Sequence, residues 1–120
     1  MPGRLTGKGA GPALAATDVA LGAGFGSTAS CTISGNDQRG QIVVTSAGTG
    51  QAQATATVTV TFKRKFADAP VVIVVPVANT SVATGENVID ITQATTGFSF
   101  KAGVLPVATK VYTYNYFCIG

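Results

Sequence analysis

The sequence predicts an all-β protein: an antiparallel, jelly-roll-like β-sandwich of about seven strands, preceded by an extended Gly/Ala-rich N-terminal arm. Three observations carry that expectation. The run Ala54-Thr55-Ala56-Thr57-Val58-Thr59-Val60-Thr61-Phe62 alternates apolar and threonine residues, and a period of 2 gives a half-buried strand its wet and dry faces. Turn-forming residues recur about every eight to twelve positions from Ala29 onward, the spacing of strands in a sandwich or barrel. No segment carries the 3.6-residue period of an amphipathic helix.

In chain order, residues 1–28 come first. They are rich in Gly and Ala and hold few large side chains, chiefly Leu5, Leu14, Leu21 and Phe25. Such a segment cannot offset its ordering entropy by burial of its own. It is expected to be an extended arm laid on neighbouring subunits, with Arg4, Lys8 and Phe25 as candidate partner contacts. The sandwich is expected over 29–120. Ser30–Ser34 reads as a strand with Cys31 and Ile33 on one face, and Gly35-Asn36-Asp37 as the turn after it. Gly40–Thr45 is the next strand, followed by a polar loop at Ser46–Gln53 and the alternating strand Ala54–Phe62. Lys63–Ala69 is a charged connection that ends at Pro70. Val71–Val75 is an unbroken β-branched run between two prolines, which predicts a strand buried on both faces. A polar loop at Asn79–Asn87 precedes strands at Val88–Thr92, Phe98–Lys101 and Lys110–Ile119.

The bulk composition fits one domain of 120 residues and 12.0 kDa. Charged residues make up only 11%, about half the share usual for a soluble domain, and much neutral surface suits a chain that works inside an assembly. The longest apolar stretch, Ala69–Ala78, is interrupted by proline and far shorter than the ~18 residues of a membrane helix, so no membrane partner is expected. The net charge of +3 is scattered, unlike the concentrated basic stripe of a nucleic-acid-binding domain. Gly, Pro12 and Asp18 break up the first residues, leaving no h-region of an export signal; synthesis in the cytoplasm is expected.

Catalysis is not expected. Histidine is absent, which removes the commonest general base and neutral metal ligand. The acids Asp18, Asp37, Asp68, Glu86 and Asp90 form no paired-carboxylate signature. No GxSxG elbow occurs, and the glycines of Gly22–Gly26 precede a strand rather than the helix a phosphate cradle requires. Neither a catalytic residue nor a cofactor or metal site is expected. Gly35-Asn36-Asp37 reads as a plain turn before it reads as a cation site.

Three features remain as candidate contacts. Cys31 and Cys118 sit on the first and last expected strands, as two buried thiols or as a bridge if those strands meet. Tyr112, Tyr114 and Tyr116 share one face of the last strand. That row either packs on the second sheet or a neighbouring subunit, or stacks on glycan. Lys63, Arg64 and Lys65 read either as a cluster that keeps an edge from pairing or as a contact to an acidic surface.

The co-linear set Ser34-Gly35-Asn36-Asp37, Gly40-Gln41-Ile42-Val43-Val44-Thr45, Val58-Thr59-Val60-Thr61-Phe62, Phe66-Ala67-Asp68-Ala69-Pro70-Val71-Val72, Thr96-Gly97-Phe98-Ser99-Phe100 and Tyr112-Thr113-Tyr114-Asn115-Tyr116 resembles a small β-sandwich module of tailed-bacteriophage virion structural proteins. The resemblance covers roughly residues 30–120. It implies a virion location and a non-catalytic structural role: head decoration, or a collar or tail-fibre appendage, commonly as a homotrimer among other virion proteins. Cys31, Cys118 and the Lys63–Lys65 cluster depart from that pattern. Two functional classes are therefore expected: a decoration protein held through its arm, and an appendage that binds host-surface glycan. A pilin-like subunit, whose arm completes a neighbour's sheet, is a third, disfavoured by the arm's lack of strand alternation.

Overall fold

The computed structural model describes residues 12–77 and 88–120. Eight strands form two antiparallel sheets of four: β1 (Val19–Leu21), β2 (Ser30–Gly35), β3 (Arg39–Thr45), β4 (Thr57–Thr61), β5 (Val71–Val77), β6 (Val88–Ala94), β7 (Gly97–Ala102) and β8 (Val111–Ile119). The first sheet runs β1-β4-β7-β6 and the second β2-β3-β8-β5. Among the described residues only single 3-10 turns, at Ala16–Asp18, Ala23–Phe25 and Gln53–Thr55, interrupt the β structure.

The core lies between the central strands. Alternation places Ala56, Val58, Val60 and Phe62 inside while Thr59 and Thr61 face water, as the period of 2 requires. The strand itself is shorter than its pattern, because Gln53–Thr55 turns as a 3-10 helix before Thr57. From the opposite sheet, β8 sends down Tyr112, Tyr114, Tyr116 and Cys118. The rings meet across the layers: Phe100 stands edge-on to Tyr114 at 4.9 Å, and Phe98 lies 5.3 Å from Tyr116. Such pairs add ~0.5–1.5 kcal/mol to the burial of the rings themselves.

Two expectations fail here. The segment expected as an arm, 1–28, is folded into the sandwich wherever it is described. Leu14 is buried and its N–H donates to the Gly35 carbonyl, β1 pairs with β4 through Val19↔Val60, and Phe25 is fully buried against Tyr112. The glycines explain why this segment lacks large side chains yet is part of the sandwich. The Gly22 N–H donates to the Thr57 carbonyl, the Ala52 N–H to the Gly24 carbonyl and the Ala47 N–H to the Phe25 carbonyl. The backbones approach so closely that a Cβ on Gly24 would collide with the Ala52 carbonyl, and Gly26 sits at φ 110°, a conformation open chiefly to glycine. Backbone hydrogen bonds and close approach, which leave no hydrophobic period, add the eighth strand and move the start of the sandwich ahead of residue 29.

The second failure is Val71–Val75. It is an edge strand of its sheet, buried on one face alone. Val72 and Val74 point inward, while Val71, Ile73 and Val75 are 58%, 44% and 47% exposed. A continuous apolar run predicts two dry faces when partners cover both; here one face has no described cover.

Candidate functional site

The hairpin end between β2 and β3 is a polar knot. The Asn36 side-chain oxygen accepts the N–H of Gln38 at 2.9 Å and of Arg39 at 3.2 Å, closing the turn. The buried Asp37 carboxylate accepts the backbone N–H of Lys63 at 2.8 Å and of Arg64 at 2.9 Å. The Tyr116 hydroxyl donates to the Asn36 carbonyl at 2.5 Å, and the Cys118 N–H donates to the Gln38 carbonyl. Gly35-Asn36-Asp37 is thus a turn whose side-chain oxygens are spent on backbone donors. Among the described residues no group of three or more His, Cys, Asp or Glu side chains is placed to hold a metal ion.

The tyrosine row faces the core. Tyr112, Tyr114 and Tyr116 are at most 3% exposed, and the Tyr112 hydroxyl accepts the Val107 N–H at 2.8 Å. This overturns the glycan-stacking alternative for these rings and leaves the packing one, against the opposite sheet. Burial first, then the neighbouring Cys118 and Asp37, raises the Tyr116 hydroxyl well above the usual phenol range. Burial, with a smaller effect of Asp37, pushes Cys118 up to about 12. Phe25 likewise lies in the core and offers no surface to a partner.

The two cysteines are free thiols. Cys31 sits level with Val44 and Tyr112, whereas Cys118 lies level with Val72, six residues further along β8, with β3 between the two strands. That places them roughly 20 Å apart along the strands, far beyond disulfide reach. An intramolecular bridge is excluded, and the half-buried Cys31 thiol is also raised by burial.

Lys63, Arg64 and Lys65 are exposed at the end of β4. Because β4 lies between β1 and β7, the cluster guards no sheet edge. Lys63 instead pairs with Asp18 at 3.0 Å, and the Ala15 N–H and then Lys63 hold the Asp18 carboxyl below its usual range. Arg4, Lys8 and the loop Asn79–Asn87 lie outside the described residues.

The surface that sequence reasoning missed is the outer face of the second sheet. In register across β5 and β8, Val71 stands beside Ile119, Ile73 beside Phe117 and Val75 beside Asn115. Phe117 and Ile119 are 44% and 54% exposed, so five large apolar side chains form one strip. The signal was present as alternation in Phe117-Cys118-Ile119 and Val71–Val75, masked because both members of each alternating pair are apolar. Next to the strip, Ser34, Arg39, Gln41, Asn115 and Phe117 line a shallow depression of about 510 Å³. The Gln41 amide donates to the Asn115 side-chain oxygen at 3.0 Å. No family model matches this chain, and no curated protein or solved structure matches it either.

Proposed function

We propose that this chain is a structural protein of a tailed-bacteriophage virion, serving as a capsid decoration or head accessory subunit. One observation supports the reading: the sandwich presents a contiguous, uncharged apolar strip on one outer face, the kind of surface that a subunit uses to meet another protein. The ordered motifs from Ser34 to Tyr116 supply the virion context by resemblance. Since residues 14–28 belong to the sandwich, attachment through a long arm is replaced by attachment through folded surfaces, with only the residues before Leu14 left to act as an arm. Many copies, each of modest affinity, would hold such a subunit on a lattice.

Quantitative mass spectrometry of purified virions tests this. Copy numbers in the range of the major capsid protein support decoration, and absence of the chain from the particle overturns the virion reading altogether.

A second reading, a collar or tail-fibre module for host glycan, draws on the depression. Phe117 offers an aromatic face for a sugar ring, and Arg39, Gln41 and Asn115 offer polar groups beside it. Copy numbers of about a dozen or fewer per particle, with glycan-array binding lost in Phe117→Ala and Arg39→Ala, would favour it over decoration.

A further inference from the structure

We propose that the outer face of β5 and β8 is the contact through which copies of this chain associate, with Val71, Ile73, Val75, Phe117 and Ile119 at its centre. The inference stands apart from the virion reading, because it concerns the chain's own assembly and would hold for any host structure.

The geometry of β5 rules on how a partner can approach. The Val72 N–H leaves the sheet for a side chain of the other layer, so by the alternation of antiparallel pairs the backbone groups of 72, 74 and 76 point away from β8 and those of 71, 73, 75 and 77 face it. The Val72 N–H is already taken by the Gln93 side-chain oxygen at 2.8 Å. Pro76 has no N–H at all, and neither does Pro70 just before the strand. Of the outward-facing residues of β5, Val74 alone keeps an N–H to offer, so the edge supplies another strand with one donor in place of three and is a poor template for strand addition. The apolar face, and not the donor-poor edge, is therefore where a partner gains most by docking.

Charge and area identify the occupant. No residue of β5 or β8 is charged, so two copies of this face meet without like-charge repulsion even though the chain carries a net charge of +3. An acidic or basic partner would find no complementary charge on the strip; Arg39 stands only at its border, level with Phe117. Five half-exposed side chains fall in the roughly 300–600 Å² range of a large surface patch, below the ~800 Å² per partner of a stable interface. The flanking outward positions Val77, Val111, Thr113 and Asn115 extend the same face toward that size. Packing of such faces about a symmetry axis, near 10 Å apart, is ordinary sheet-on-sheet geometry.

Sedimentation equilibrium of the full-length chain from micromolar to several hundred micromolar tests the proposal. The expected result is a mass that is a multiple of 12.0 kDa, with Ile73→Lys weakening association at least tenfold. Thr59→Lys, on the outer face of the other sheet, should leave it unchanged. Circular dichroism checks that Ile73→Lys stays folded, and Ile119→Lys, at the strand end, provides the same lesion with less risk to the fold. A wild-type chain that stays monomeric throughout overturns the proposal and assigns the strip to residues 1–11, residues 78–87 or another protein. So does an oligomer indifferent to both lysine substitutions.

Discussion

The two sheets share one core yet end in different surfaces. On the outer face of β4 and β7, Thr57, Thr59 and Thr61 stand opposite Lys101, Ser99 and Gly97, and every side chain there is content in water. On β5 and β8 the same outward positions carry Val, Ile and Phe. Strand propensity does not distinguish the faces, because threonine, valine and isoleucine are all β-branched and favour extended backbone. The difference is hydration. The outer face of β4 and β7 is finished by solvent, and that of β5 and β8 keeps apolar area in contact with water.

The largest expected effect comes from the layer that both sheets share. Phe100→Ala removes a ring packed against Tyr114 across the layers and should cost ~3–5 kcal/mol of unfolding free energy, measured by urea denaturation. A loss below about 1 kcal/mol would mean that the sheets do not pack as described. Next is the polar knot. Asp37→Ala strips the Lys63 and Arg64 N–H groups of their acceptor and should cost about 1–3 kcal/mol, with the 62–66 loop gaining amide exchange before either sheet does.

A pH series sharpens the contrast on the β8 side. Because burial raises the Cys118 thiol in the folded state to about 12, from about 9 when unfolded, its contribution is fully present below pH 9. It is lost as pH rises from 9 toward 12. Urea midpoints should therefore hold steady to about pH 9 and fall above it, and Cys118→Ala should flatten that fall. Tyr116, raised in the same direction, keeps some slope in the variant. The thiols should also differ in reach: Cys31 reacts with an alkylating reagent in the folded protein before Cys118 does. The smallest effect is at the surface itself, where Ile73→Thr should change monomer stability by no more than ~0.5 kcal/mol while raising solubility.

The extent to which the sequence announced this structure follows from the type of force involved. The strand at Thr57–Thr61 was legible because threonine marks the wet face against valine on the dry one. The segment 14–28 was not, because close backbone contact at Gly24 and hydrogen bonds from Gly22 and to Phe25 leave no periodic trace in side-chain type. Val71–Val75 was legible as a strand but not as an edge, since an interface-facing valine and a core-facing valine are the same letter. The tyrosines of β8 were legible as one face, and their burial followed only once β7 supplied Phe98 and Phe100 opposite them. The distance between Cys31 and Cys118 required strand order, which no local pattern encodes.

The claim that the two outer faces differ in being covered is tested most directly by hydroxyl-radical footprinting across the concentration range of self-association. Labelling of Phe117 and Ile73 should fall several-fold as the chain assembles, while the stretch 57–61, carrying Thr57, Thr59 and Thr61, keeps its monomer value. Equal labelling of Phe117 in dilute and assembled samples would contradict the account.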